Sequence, residues 1–312
     1  MRREIPRIDR RTLLSGAAAA AAALAGSGLP LGPARASTLA LGDASLQVVS
    51  DGNLVLPMGF ILPDRSKAEI ETLLAPHGLP SDQVEPACNL TLFRTGDRLV
   101  LFDAGSGANF QPTAGRLGSS LAAAGVDPSD ITDVVFTHAH PDHIWGVLDD
   151  FDEPVFSSAR HWISQAEWDF WRAEDTLSLM PEERKSFVVG ARNRFDAIEA
   201  AVSFFKAGDM PVPGVEAVDT TGHTPGHVSF MLHGGPDPVL VTGDAITHPV
   251  ISFERPDWEI GSDQDRAQGA VTRKALLDRL AEDKAAIVGF HLPYPGIGTV
   301  ERSGGAYRFL PA

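Results

Sequence analysis

One heptapeptide constrains this chain more than any other feature. In Thr137-His138-Ala139-His140-Pro141-Asp142-His143, four potential metal ligands fall within six residues, just after the apolar run that starts at Ile131. Neutral imidazole is the commonest protein ligand for zinc, and carboxylate is also accepted. In a loop, His138 and His140 can point to one side while Asp142 and His143 turn toward a second position. One ion does not readily use all four, so the spacing points to two adjacent metals.

Further ligand types recur at other strand ends. Thr221-Gly222-His223-Thr224-Pro225-Gly226-His227 is one cluster. Leu240-Val241-Thr242-Gly243-Asp244 is an apolar strand delivering a carboxylate, and Ile287-Val288-Gly289-Phe290-His291 is a strand ending in histidine. A lone strand-end histidine is more often structural, but four such clusters in one chain have no simple structural explanation. Thr91-Leu92-Phe93-Arg94 and the run Arg98 to Phe102, with Gly96-Asp97 between them, read as a hairpin. Strands are expected at 46–50, 131–137, 215–219, 228–232, 238–242 and 285–290. Helices are expected at 113–124, 163–172, 181–203 and 264–282. Strands precede helices in each of two halves that meet near residue 205, and no linker separates them. One α/β domain of packed sheets with helices outside fits this order.

His-x-His-x-Asp-His, Gly-His-Thr-Pro-Gly-His, Thr-Gly-Asp and a late strand-end histidine, in that order, resemble the metallo-β-lactamase-fold hydrolases. Within that superfamily the chain looks most like the methyl parathion hydrolase-like branch of exported enzymes. The segments that carry this likeness are residues 94–105, Gly115-Arg116-Leu117, Asp169-Phe170-Trp171, residues 291–298 and residues 305–309. The resemblance implies a four-layer αββα sandwich, a dinuclear site and a homodimer. Carried over by position, it implies His138, His140 and His223 on one metal and Asp142, His143 and His291 on the other. Asp244 would bridge them, and His227 would orient ligands without binding metal. Zinc is the expected ion.

A water shared by two divalent cations loses a proton near neutral pH, and the hydroxide attacks a carbonyl or phosphoryl carbon or phosphorus. Asp142 and Asp244 are then the catalytic carboxylates, with Asp142 able to protonate the leaving oxygen. Asp244 argues against a true β-lactamase, and His140 against flavodiiron-type oxygen reductases. The net charge of −15 for the whole chain excludes general attraction to nucleic acid or anionic membrane. A neutral, lipophilic lactone or ester meets no such repulsion. The runner-up substrate is an organophosphate triester. An iron persulfide oxygenase and an inactive metal-binding protein are the alternatives of a different class. The apolar segment 54–62 and the aromatics Trp145, Trp171 and Phe187 are candidate pocket walls, with His248 at the mouth. The other histidines, His77, His161 and His233, read as surface or loop residues. Cys88, the one cysteine, rules out an internal disulfide and reads as a core residue remote from every cluster.

The N-terminal segment reads as an export signal rather than as part of the fold. Arg10-Arg11 precede an Ala-rich stretch, and Ala34-Arg35-Ala36 is a cleavage signal before Ser37. Residues 1–36 are therefore expected to be a twin-arginine signal peptide, and 37–312 the hydrolase domain. That places the protein in the periplasm or outside the cell, with no membrane association after cleavage.

Overall fold

Leu90, Leu92, Leu99 and Leu101 make one face of the first hairpin apolar, and Phe93, Val100 and Phe102 do the same for the other. A sheet with two apolar faces must be covered on both sides, and the architecture follows from that need. The computed structural model describes residues 37–312; the expected signal peptide, 1–36, lies outside the described residues.

The strands run in chain order as β1 (Ser37–Leu41), β2 (Ala44–Asn53), β3 (Leu56–Pro57), β4 (Gln83–Val84), β5 (Ala87–Thr95), β6 (Arg98–Phe102), β7 (Asp133–Val135) and β8 (Arg160–Ser164). They continue as β9 (Val202–Phe205), β10 (Val215–Asp219), β11 (Val228–Leu232), β12 (Val239–Val241), β13 (Ala286–Val288), β14 (Ile297–Ser303) and β15 (Ala306–Pro311). One sheet has the order β1-β2-β5-β6-β7-β8-β9, and the other runs β10 to β15 in sequence. The main helices are α1 (Lys67–Leu74), α2 (Leu117–Ala123), α3 (Pro141–Ile144), α4 (Gln165–Arg172), α5 (Lys185–Ile198) and α6 (Arg266–Asp283).

Three apolar clusters separate four layers. Leu90, Leu101 and Phe136 pack outward against Leu121 of α2, Trp171 of α4 and Phe195 of α5. Between the sheets, Leu46, Phe93 and Phe102 meet Val215, Phe230 and Val241. On the far side, Met231, Leu240 and Ile287 meet Leu276, Leu277 and Leu280 of α6. Alternate residues of β6 and β12 serve alternate layers, as the two-residue period of a strand requires. This is the αββα sandwich. A fourth cluster joins Met58, Ile61 and α1 to Val250, Ile251 and Trp258, and it caps one end of the sandwich.

Several expected elements differ. The helix expected over 181–203 is a 3-10 turn at Glu182–Arg184, then α5, then strand β9. Val202 to Phe205 are β-branched and aromatic apart from one serine, and they pair in parallel with β8. The helix expected from 163 starts at Gln165, because β8 takes the residues before it. The helix expected from 113 begins at Leu117, since Gly115 sits at φ +76. A side chain there would strike the Gly107 carbonyl oxygen at 2.3 Å. His161 is not a surface residue: it is buried on β8, its ring stacked 6.1 Å from that of Phe136.

Candidate metal centre

The ends of β7, β12 and β13 and the turn between β10 and β11 bring the expected ligands to one edge of the sandwich. β7 delivers His138 and His140, and the single-turn helix α3 turns Asp142 and His143. His223 lies between β10 and β11, Asp244 follows β12, and His291 follows β13. Among the described residues these seven side chains converge. His140 Nδ1 is 3.0 Å from His138 Nε2 and 2.8 Å from His223 Nε2. Asp142 Oδ2 lies 3.5 Å from His143 Nε2 and 3.3 Å from His291 Nε2. Asp244 stands between the two sets, Oδ2 at 3.2 Å from His223 Nε2 and Oδ1 at 3.2 Å from His143 Nε2.

The residues fit divalent ions on two grounds. First, buried polar atoms normally have partners, yet Asp142 Oδ2, His143 Nε2 and Asp244 Oδ1 are buried with no hydrogen bond. Second, most of the histidines are held by their outer nitrogen. His143 Nδ1 meets Asp103 Oδ2 at 2.8 Å, and His223 Nδ1 meets Asp263 Oδ1 at 2.9 Å. His291 Nδ1 donates to the Ala87 carbonyl at 2.8 Å, and His138 Nδ1 lies 3.0 Å from Thr137 Oγ1. An outer N–H engaged in this way leaves the inner nitrogen as a lone pair, which is how metal-binding histidines are oriented. The groups His138–His140–His223 and His138–His143–Asp244 each bring three ligand atoms within 4.8 Å.

The electrostatics say the same. Burial, then the neighbouring imidazoles, holds His138 and His140 well below the usual histidine range. Burial also opposes charge on His143 and His291, but Asp244 and Asp142 pull His143 well above its ordinary value and His291 to about 10. Against their own burial, Asp142 and Asp244 are held below the carboxylate range by His143 and His291. Positive charge on His143 and His291 is what holds the two carboxylates ionised.

His227 touches the centre from behind. Its Nε2 accepts the Asp244 backbone N–H at 2.9 Å, and its Nδ1 lies 2.8 Å from Thr220 Oγ1. Burial, then His223, depresses it to about 3, so it stays neutral. Gly243, at φ +50, is obligatory there: a Cβ would meet His227 Nε2 at 2.7 Å.

Other supporting residues carry a weaker sequence signal or none. Glu167, buried on α4, accepts the Ala139 N–H at 2.9 Å and the Trp171 indole N–H at 2.6 Å on Oε1. Its Oε2 accepts the Thr224 hydroxyl at 2.7 Å and the Gly226 N–H at 3.0 Å. One carboxylate thus ties the first histidine loop to the second. Asp103 follows an apolar strand as Asp244 does, and that pattern was the available signal. Arg273 holds Asp263 Oδ2 at 2.8 Å behind His223. Cys88 is not remote: its sulfur and ligand atoms of Asp142 and His291 lie within 4.8 Å of one another. Burial, then Asp142, keeps its thiol protonated.

A cavity partly open to solvent ends on this cluster. Leu54, Leu56, Phe60, Ile61, Phe110 and Phe187 give it apolar walls, and Asp142, Asp244 and His291 lie in its floor. Phe187 and His248 line it, as does much of the 54–62 segment. Trp171 and Trp145 do not. Trp171 is fully buried, its indole N–H spent on Glu167. Trp145 packs edge-on at 5.4 Å against Phe110 and fills the space that Gly190 leaves open.

A four-layer sandwich with a binuclear ligand set at its strand ends defines a class of metalloprotein. Residues 85–291 match the model of the metallo-β-lactamase superfamily, and the chain belongs to that family. It is 28% identical over 193 residues to the probable metallo-hydrolase YqjP of Bacillus subtilis (strain 168), and 28% identical over 160 residues to an N-acyl homoserine lactonase of a Bacillus species. Each match covers 51% of this chain, and the chain spans 59% and 55% of those relatives. The crystallised dizinc quorum-quenching lactonase AidC, in complex with the product N-hexanoyl-L-homoserine, superposes with a TM-score of 0.84. It shares 30% identity, over 89% of this chain and 97% of that one.

Proposed function

We propose that this chain is a dinuclear metal-dependent hydrolase acting on neutral, lipophilic lactones or esters, with N-acyl homoserine lactones the foremost candidates. The observation that carries this reading is the apolar cavity ending on the Asp244-centred ligand set. The lactone-hydrolysing relatives support it. His138, His140 and His223 would hold one ion, Asp142, His143 and His291 the other, with Asp244 shared. When bound, two divalent ions, zinc the first candidate, supply Lewis acidity and make a water acidic near neutral pH.

The protein's own contribution is positional. Phe60, Phe110 and Phe187 bind the tail and exclude water from the reacting carbonyl. Asp142, half of its carboxylate unpartnered, is placed to take a proton from the attacking water and return it to the departing oxygen. Asp103 and Asp263 fix imidazoles and Glu167 fixes the loops that carry them, so no reorganisation is needed during the reaction.

Metal-analysed protein assayed on N-acyl homoserine lactones, aryl esters and phosphotriesters tests the reading. Fastest turnover of the lactones or esters is expected, and exclusive turnover of phosphotriesters would replace it with the organophosphate alternative. We propose further that the protein is exported through its twin-arginine segment, belongs to the methyl parathion hydrolase-like branch and forms a homodimer. Residues 37–312 would then carry a net charge of −19, which disfavours anionic substrates. No helix of the described residues is long and apolar enough to cross a membrane. N-terminal sequencing of periplasmic protein should find Ser37 first; an intact Met1 there would contradict export by cleavage.

A further inference from the structure

His248 is held by more than its neighbours in sequence. Its Nδ1 accepts the backbone N–H of Val250 at 3.1 Å and of Ile251 at 3.0 Å. Ser252, fully buried, accepts the N–H groups of Thr247 and His248 on its hydroxyl at 3.2 and 3.1 Å. The loop is therefore closed on itself, and the ring cannot turn without breaking two hydrogen bonds. An Nδ1 that accepts two N–H groups carries no proton. In a neutral imidazole the proton then sits on Nε2. Nε2 has no partner among the described residues, and it lies on the side of the ring away from the loop backbone.

The ring's position gives that donor a use. His248 lines the apolar cavity over the ligand cluster, and it also lines a second cavity bounded by Asn53, Gln83, Glu85 and Tyr294. Of the seven metal-ligand candidates, only His291 borders both cavities. A molecule bound in the apolar cavity against the Asp244 cluster therefore lies beside a wall that His291 and His248 share.

We propose that His248 is a catalytic residue that donates a hydrogen bond from Nε2 to the departing ring oxygen of the lactone. This rests on the lactone or ester reading above. The balance is simple: the water oxygen becomes part of the new carboxylate, the ring C–O bond breaks, one proton of the water ends on the alcohol oxygen, and the other is released to solvent as the acid ionises. His248 keeps its own proton throughout, because a neutral imidazole N–H is too weak an acid to transfer it; it stabilises charge on the oxygen while the bond breaks.

The test compares N-hexanoyl homoserine lactone with the matching N-hexanoyl homocysteine thiolactone in metal-loaded protein. An alkoxide needs help to leave, whereas a thiolate does so far less, thiols ionising near 8.5. Asparagine places an acceptor where Nδ1 stands but has no donor at the Nε2 position. His248→Asn should keep the loop, the metal content and the melting temperature. It should lower kcat/KM for the lactone on the order of 100–1,000-fold, the usual cost of one such donor, and for the thiolactone less than about threefold. Glutamine reaches the Nε2 position with its amide, so His248→Gln should recover much of the lactone rate even if it melts earlier. Equal losses on both substrates in His248→Asn, or no loss on either, would overturn the assignment. If the wild-type protein, with full metal, turns over neither substrate, the lactone reading itself fails.

Discussion

Glu167→Gln separates the support of the centre from its ligands. Four donors converge on the two carboxylate oxygens: the Ala139 N–H and Trp171 indole on one, the Thr224 hydroxyl and Gly226 N–H on the other. A glutamine amide matches the shape but offers one oxygen and one NH2. Two of the four donors then face another donor in a buried site. Each orphaned donor costs about 1–3 kcal/mol, while loss of a buried charge gives part of that back. Burial already raises the carboxyl's pKa despite its four hydrogen bonds. The expected net loss is about 2–4 kcal/mol, or roughly 3–7 °C in melting temperature for a domain of this size. Because Ala139 lies between His138 and His140, metal affinity should fall about 10–100-fold. Thermal melts of metal-free and metal-loaded protein, with chelator competition, read both quantities. Trp171→Phe removes one donor of the four, worth about 1.5–3 kcal/mol to a carboxylate, and leaves a cavity besides, Trp171 being fully buried. An unchanged melting temperature together with an unchanged chelator midpoint in Glu167→Gln would refute the reasoning.

Other outcomes follow from the same geometry. Across a neutral acyl-chain series, kcat/KM should rise by up to about 0.8 kcal/mol per buried CH2; Phe187→Ala should flatten that rise without changing metal content, and a flat wild-type series would remove the apolar cavity's role. His161 is buried with neither ring nitrogen partnered, and burial pulls it to about 4. Its folded value is depressed, so its share of stability is complete above the unfolded value of about 6.5 and drains away as pH falls toward 4. Between pH 7 and pH 5 that amounts to about 2 kcal/mol; denaturant titrations at both values should show His161→Leu losing less stability than wild type by that amount, and equal losses would place His161 elsewhere.

The metal centre was more legible than the scaffold that supports it. His138 to His143, Asp244 and His291 each follow an apolar strand, where a polar ligand type stands out from its neighbours, and His223 lies in a Gly-His-Thr-Pro-Gly-His motif. Strands β10 and β11 were readable to the residue, because 215–219 alternates, 228–232 is an apolar run broken only by Ser229, and both ends of each carry turn residues. β9 was hidden by the helix before it: Val202 to Phe205 continue an apolar pattern whose period changes only once pairing to β8 is known. Glu167 looks like any acid on an amphipathic helix, and only the fold turns it inward beneath two loops far apart in sequence. Trp171 illustrates the converse. An aromatic near a ligand motif suggested a pocket wall, but its indole N–H needed a buried acceptor, and Glu167 draws it into the core. Cys88 was misplaced because β5 begins beside His291, a pairing made by Asn89 N–H to the Phe290 carbonyl across 201 positions of chain.

Metal stoichiometry, measured alongside lactone turnover in wild type and Asp244→Ala, bears most directly on a shared carboxylate between two ions. Wild-type protein should hold two divalent ions per chain and open N-acyl homoserine lactones, and Asp244→Ala should lose metal and activity together. One ion per chain in an active wild-type protein, or full metal and turnover in Asp244→Ala, would contradict it.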